Sequence, residues 1–233
     1  VAHTAYTCAN LGANVATLDV VDLSGNSSNC TATITVQDNM APVALCQDIT
    51  IQLDAGGNAT ISTSQIDNGS ADNCSIAGYS ASPNTFNCGN IGTNAVTLDI
   101  TDNSSNNSNC VSTVTVQDTV SPNAVCQDLT IFLDGAGSAT ITTGDADNGS
   151  ADACGIDTRS LSQATFTCSD IGANNETLTV TDGEANTDSC ITMVTVRDTI
   201  VPVAICQDAT VSLDATGNIT LVSSDIDNGS SDI

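Results

Sequence analysis

The chain has 233 residues, with 27 acidic side chains against two basic ones and a formal net charge of −25 at pH 7. Binding to nucleic acid or to an anionic membrane depends on basic patches, so we expect neither as a partner. Aromatic residues make up only 2% of the chain, and 11 cysteines indicate disulfide bonds and hence an oxidising compartment, outside the cell or on its surface.

A repeat of about 80 residues runs through the whole chain, and self-similarity at a fixed period defines a structural unit. Pro42, Pro122 and Pro202 stand at equal intervals in one motif, Val-x-Asp-x-x-x-Pro-x-Ala-x-Cys-Gln-Asp. The chain starts and stops in mid-repeat, so we expect it to belong to a longer protein. The predicted domains are the C-terminal part of a repeat at 1–38, complete repeats at 39–118 and 119–198, and the N-terminal part of a further repeat at 199–233.

Short β-strands are predicted along each repeat. In the first complete repeat they lie, in chain order, at 44–53, 59–66, 76–80, 85–88, 96–101 and 111–116. The first two and the last two are expected to form hairpins, because turn-forming residues separate them. About seven short strands in a repeat of this length predict an all-β fold of tandem immunoglobulin-like β-sandwich repeats. A β-solenoid is less favoured, because its rungs are much shorter than this repeat.

The repeats meet at short linkers that each contain a proline, such as residues 38–42. Proline fixes its own φ angle and biases the preceding residue towards an extended form. We therefore expect the array to form an extended rod rather than a flexible string.

The repeated motifs resemble those of a known family. The Asp-Asn-Gly-Ser-x-Asp stretch at 67–72, the proline linker and the Thr-Leu-x-Ile-x-Asp hairpin at 97–102 are similar to hyalin-repeat (HYR-like) domains of the four-cysteine variety. Such domains occur in giant surface proteins of Bacteroidota, including gliding-motility adhesins exported by the type IX system. The resemblance implies an immunoglobulin-like fold and a role in surface adhesion or filament building.

Four cysteine positions recur in each repeat and allow three pairings inside it. The first and last strands of such a sandwich begin at the same end, which favours a nested scheme. This scheme pairs Cys46 with Cys110, Cys74 with Cys88, Cys126 with Cys190, and Cys154 with Cys168. A sequential scheme, Cys46 with Cys74 and Cys88 with Cys110, stays open. Zinc binding is less favoured, because the repeat contains no closely spaced cysteine pair.

Aspartates are predicted to converge where one repeat meets the next. Several carboxylates together with loop carbonyls suit Ca²⁺, which takes six to eight oxygen ligands in flexible geometry. Aspartate is also a common turn residue for local reasons, so a purely structural role is the alternative. The candidate ligands are Asp38, Asp67, Asp72, Asp102, Asp118, Asp147, Asp152, Asp182, Asp198, Asp227 and Asp232.

Two threonines are candidate modification sites. Asp118-Thr-Val and Asp198-Thr-Ile resemble the short O-glycosylation signal of Bacteroidota, which would place sugars on Thr119 and Thr199.

No catalytic constellation is found in the sequence, so we expect a protein that is not an enzyme. We predict a structural stalk or filament segment of a large secreted or cell-surface adhesin. Its expected partners are the neighbouring repeats of the same chain and other copies in a filament bundle, without direct membrane contact. The alternative is an array of weak glycan- or protein-binding modules that act by avidity.

Overall fold

A computed structural model describes residues 5–232. The chain forms two compact units, which divide between Thr119 and Val120. Each unit contains one complete repeat and part of another, and each is described by itself.

Within the described residues, the first unit begins with a 3₁₀ turn at Cys8–Asn10, which is followed by a hairpin of the same incomplete repeat. Its strands are β1 (Gly12–Val21) and β2 (Ser27–Val36), which pair antiparallel with Leu18 opposite Cys30. The linker that follows β2 leads into the complete repeat at 39–118.

The complete repeat consists of six strands, one turn of α-helix and one 3₁₀ turn (Cys88–Asn90), against about seven strands expected. The elements are β3 (Ile49–Gln52), β4 (Asn58–Thr60), α1 (Thr63–Ile66), β5 (Ile76–Ser82), β6 (Thr85–Asn87), β7 (Gly92–Asp102) and β8 (Asn107–Gln117). Four strands form one sheet in the order β3-β8-β7-β5, and β4 and β6 form a second, two-stranded sheet. All pairings are antiparallel except β3 with β8, which run parallel.

The second unit repeats this topology. Its elements are β9 (Leu129–Phe132), β10 (Ser138–Thr140), α2 (Thr143–Ala146), β11 (Ile156–Leu161), β12 (Thr165–Thr167), a 3₁₀ turn (Cys168–Asp170), β13 (Gly172–Asp182) and β14 (Thr187–Arg197), and the last partial repeat adds α3 (Ser223–Ile226). The four-stranded sheet has the order β11-β13-β14-β9, and β10 pairs with β12.

The core of each repeat lies between the two sheets. In the second unit, Phe166 on the small sheet packs in one cluster with Val194 and Val196 on the large sheet. Phe86, Val114 and Val116 are the buried equivalents in the first unit. Alternation along β7 buries Leu98 and Ile100 and exposes Asp99. The chain is therefore a tandem array of immunoglobulin-like β-sandwiches.

The predicted hairpin of 44–53 with 59–66 is wrong. β3 pairs with β8 and β4 pairs with β6, so the two strands belong to different sheets. The turn between them is held by Asp54, whose Oδ1 accepts hydrogen bonds from the backbone N–H groups of Gly56 and Asn58. A tight turn in a sandwich can connect strands of different sheets. The residue pattern does not distinguish such a turn from the turn of a hairpin. The final hairpin is present as β7 and β8.

Candidate metal centre

Three aspartates of the first unit come together beside the linker. Asp38 follows β2, Asp72 precedes β5, and Asp102 ends β7. One carboxylate oxygen of each lies within 4.8 Å of the others. The structure thus brings together three of the predicted ligands.

The two carboxylate oxygens of Asp38 differ, because one accepts hydrogen bonds and the other is buried. Its Oδ1 accepts hydrogen bonds from the backbone N–H of Met40 at 3.2 Å and from Nδ2 of Asn73 at 3.4 Å. Its Oδ2 is buried and has no hydrogen-bond partner among the residues that the structure describes.

Asp72 shows the same division between its two oxygens. Oδ2 accepts from the backbone N–H groups of Cys74 at 2.8 Å and Ser75 at 2.9 Å. Oδ1 is buried and, within residues 5–232, unpartnered. A buried carboxylate oxygen without a partner is costly, which makes this pair of oxygens the notable feature of the cluster.

Asp102 is almost fully buried and is held by its own hairpin turn. Its Oδ1 accepts from the backbone N–H groups of Ser104 and Asn106, and its Oδ2 accepts from Nδ2 of Asn106. Burial acts to raise the pKa of Asp102, but the hydrogen bonds from Asn106 and from the turn outweigh it and lower the pKa below 3.8. Asp22 makes the same bonds in the β1–β2 turn, so this pattern alone is turn chemistry.

Two asparagines that the sequence reasoning missed join the linker to the cluster. Nδ2 of Asn106 donates to the backbone carbonyls of Asp38 and Met40, both at 3.1 Å. Asn26, Asn106 and Asn186 recur at the period of the repeat, which was an available signal. Asn73 gave no such signal, because Ala153 occupies its position in the next repeat.

Three other predicted ligands have a different local role. Asp67, Asp147 and Asp227 each accept a hydrogen bond at Oδ1 from the backbone N–H of the serine three residues on. Asp147 also forms an ion pair with Arg159 at 3.0 Å. Burial acts to raise the pKa of Asp147, but the hydrogen bonds from Ser150 and the Arg159 guanidinium hold it below its ordinary value.

The remaining predicted ligands occupy the equivalent positions of later repeats. Asp118 and Asp182 are buried, and Asp152 accepts from the backbone N–H of Cys154 at 2.7 Å. Asp198 accepts from the backbone N–H of Ile200, and Asp232 is exposed.

The disulfide bonds correct half of the nested scheme. Cys46 is bonded to Cys110 and Cys126 to Cys190, as that scheme has it. Cys74 is bonded to Cys8 of the preceding repeat, not to Cys88. Cys88 and Cys154 are also disulfide-bonded, whereas Cys30, Cys168 and Cys206 are free thiols, so the predicted bond between Cys154 and Cys168 is wrong.

The wrong prediction of a bond between Cys74 and Cys88 has a geometric cause. Cys74 lies beside the linker, while Cys88 lies at the opposite end of the repeat, with its Sγ 3.8 Å from the carbonyl of Gly57 in the β3–β4 turn. A disulfide needs Cα atoms within about 7 Å, so cysteines at opposite ends of one sandwich cannot pair. Considering only pairs inside a repeat left out the bond across the boundary.

The candidate glycosylation residues Thr119 and Thr199 are both exposed, and their modification stays a prediction. Between residues 5 and 232, none of the helices has the length and apolar character that crossing a bilayer requires.

No protein-family model and no curated protein matches the chain. Among solved structures it is similar to extracellular cadherin domains 1–5 of protocadherin gamma B2, with 13% identity, a TM-score of 0.36, and coverage of 88% of this chain and 49% of that one. Protocadherin gamma C5 EC1–3 gives 13% identity, a TM-score of 0.39, and coverage of 81% and 79%. Titin domains I67–I69 give 9% identity, a TM-score of 0.35, and coverage of 79% and 75%. The chain spans about half the length of the first of these. At such identities the likeness concerns the fold alone.

Proposed function

We propose that the chain is a structural stalk or filament segment of a large secreted or cell-surface adhesin. The observation that carries this proposal is the bond between Cys8 and Cys74, which fastens part of one repeat to the next. A covalent connection of this kind suits an array through which load passes from repeat to repeat. The resemblance to hyalin repeats of giant Bacteroidota surface proteins supports the same role.

Disulfide content supports an extracellular location. Disulfides persist in oxidising compartments and are rare in the cytosol. The net charge of −25 favours solubility. Both properties suit a protein that extends into the medium.

Pulling single molecules of the full chain tests the load-bearing role. The Cys8–Cys74 bond spans 66 residues and so conceals roughly 230 Å of chain, at about 3.5 Å per residue. Unfolding of the first unit should lengthen the chain by that extra amount only after treatment with a dithiol. Repeats that unfold at negligible force, with or without the dithiol, would contradict a load-bearing role.

The binding-module alternative predicts a different result. An array that works by avidity should bind a glycan or protein target with its repeats alone. A glycan array and a pull-down with the labelled full chain measure this directly. Clear saturable binding to one glycan class would overturn the stalk proposal.

We also propose that Ca²⁺ binds at Asp38, Asp72 and Asp102. The carrying observation is that Oδ2 of Asp38 and Oδ1 of Asp72 are buried and unpartnered within the described residues, while their sister oxygens are held by hydrogen bonds. Each carboxylate is thus fixed in place with one oxygen left over for a cation. Backbone carbonyls and water would complete the six to eight oxygen ligands that Ca²⁺ takes.

Thermal melting in millimolar CaCl₂ and in EDTA tests this site. Extracellular modules bind Ca²⁺ with Kd values of about 10⁻⁴ to 10⁻³ M. At ten times Kd, binding to the folded state alone adds about 1.4 kcal/mol to the free energy of unfolding. An unchanged melting temperature would remove the calcium proposal and leave the stalk proposal intact.

A further inference from the structure

We propose that the Cys8–Cys74 disulfide and the carboxylate cluster form one coupled unit, in which the bond holds the cation ligands in register. Reduction of this bond then lowers the affinity for Ca²⁺, and Ca²⁺ in turn protects the bond from reduction. The inference rests on the proposed calcium binding.

Three consecutive residues connect the bond to the cluster. Cys74 is bonded to Cys8, and its backbone N–H donates to Oδ2 of Asp72 at 2.8 Å. Between them, Asn73 donates from Nδ2 to Oδ1 of Asp38 at 3.4 Å. The segment that carries the disulfide therefore orients both carboxylates that have a buried, unpartnered oxygen.

The cluster draws its ligands from both sides of the repeat boundary. Asp38 follows β2 of the preceding repeat, whereas Asp72 and Asp102 belong to the repeat at 39–118. The Cα atoms of Cys8 and Cys74 are held 5.3 Å apart, and the two cysteines line one surface recess together with Asp38. The disulfide thus keeps the end of one repeat against the start of the next, which is the arrangement the cluster needs.

The second bond of this unit provides an internal comparison. Cys46–Cys110 joins the segment before β3 to β8 and lies wholly within residues 39–118. Its reduction leaves the two sides of the boundary connected as before. Calcium should therefore protect Cys8–Cys74 more than Cys46–Cys110.

The redox step is an ordinary thiol–disulfide exchange with a dithiol such as dithiothreitol. The S–S bond of Cys8–Cys74 accepts two electrons and two protons to give two thiols, and the dithiol is oxidised to its cyclic disulfide. Thermodynamic linkage makes the effects of Ca²⁺ binding and disulfide reduction on each other reciprocal. The factor by which reduction raises the Kd for Ca²⁺ equals the factor by which Ca²⁺ disfavours reduction.

Calorimetric titration of the full chain with Ca²⁺ tests the coupling. The variants are Cys8→Ser/Cys74→Ser and, as matched control, Cys30→Ser, which removes a free thiol and no bond. We expect the double variant to raise the Kd about fivefold or more, the lower range of typical coupling, and the control to leave it unchanged. Equal affinities in wild type and double variant would overturn the coupling but not the calcium site. A wild type that binds no Ca²⁺ would overturn both.

A second measurement does not depend on how the double variant folds. The wild type, with its free thiols blocked by alkylation, is equilibrated with graded dithiol/disulfide mixtures with and without CaCl₂. Newly formed thiols are then assigned to each cysteine by mass spectrometry. We expect Ca²⁺ to shift the reduction midpoint of Cys8–Cys74 by the same factor and that of Cys46–Cys110 by less. Equal shifts for both bonds would contradict the proposal.

Discussion

Cys8 and Cys74 are joined by a disulfide although 66 residues separate them and a repeat boundary lies between them. Another bond of this unit, Cys46–Cys110, closes a single repeat. The first unit therefore combines one cross-link that braces a sandwich with another that fastens it to its predecessor.

Tryptic mapping should detect the cross-boundary bond directly. The chain has only two basic residues, Arg159 and Arg197, so Met40→Lys adds a single cut in the linker. After alkylation of free thiols and denaturation without reductant, peptide 1–40 should remain attached to 41–159 through Cys8–Cys74. Mass spectrometry before and after reduction identifies the linked species, in which Cys126–Cys190 also holds peptide 160–197.

Adding Cys8→Ser to the Met40→Lys variant provides the control, because it should release peptide 1–40 without reductant. The nested hypothesis gives the opposite result for the Met40→Lys variant itself. A bond between Cys74 and Cys88 would lie inside 41–159, so peptide 1–40 would separate at once.

The repeat and the sandwich fold could be predicted from the sequence, because local residue patterns indicate both. Strict recurrence locates the units, and alternation along β7 and β8 identifies a hairpin. The partner of β3 was predicted wrongly. Its pairing with β8 joins Ile49 to Val114 across most of the repeat, a contact that no local strand pattern encodes, although the predicted Cys46–Cys110 bond placed the beginnings of the first and last strands at the same end.

The metal site shows the same limit. Turn chemistry gives Asp67, Asp72 and Asp102 similar surroundings in sequence, and only the three-dimensional arrangement separates them. Oδ1 of Asp67 accepts a hydrogen bond from the backbone N–H of Ser70, whereas Oδ1 of Asp72 is buried and has no hydrogen-bond partner in the described chain. Which aspartate faces the linker depends on how the loop packs, and that is a tertiary property.

Neutralising one ligand should remove most of the calcium effect. Asp72→Asn replaces the buried Oδ1, or its sister oxygen, with an amide and removes one of three clustered charges. We expect the rise in melting temperature caused by CaCl₂ to fall by more than half. Asp99→Asn is the matched control, because it removes the same charge from an exposed position on β7. A full response in the Asp72 variant would argue against this site.

The core between the sheets should dominate stability. Leu98 is fully buried on β7, and Leu98→Ala should lower the free energy of unfolding by about 2–5 kcal/mol. Val111→Ala, on the neighbouring strand but 61% exposed, should change it by about 0.5 kcal/mol or less. Urea unfolding measures both. Similar losses of unfolding free energy in both variants would mean that the small sheet does not cover the large one as described.

Asp102 should give stability a defined pH dependence. Its pKa in the folded chain lies below the ordinary 3.8, because the hydrogen bonds from Asn106 and the turn outweigh the opposing effect of burial. A carboxylate with a lowered folded pKa stabilises the folded state above its unfolded pKa, and this contribution is lost as pH falls through the folded value.

The difference in free energy of unfolding between wild type and Asp102→Asn isolates this group. Measured by urea unfolding in EDTA, it should stay constant from about pH 5 to 7 and shrink below 3.8. Asp22→Asn removes the equivalent carboxylate from the turn of the exposed β1–β2 hairpin. The pKa of Asp22 is also lowered, mainly by the side-chain hydrogen bond from Asn26. A difference for Asp102→Asn that persists unchanged in strong acid would mean that Asp102 stabilises the turn without its charge.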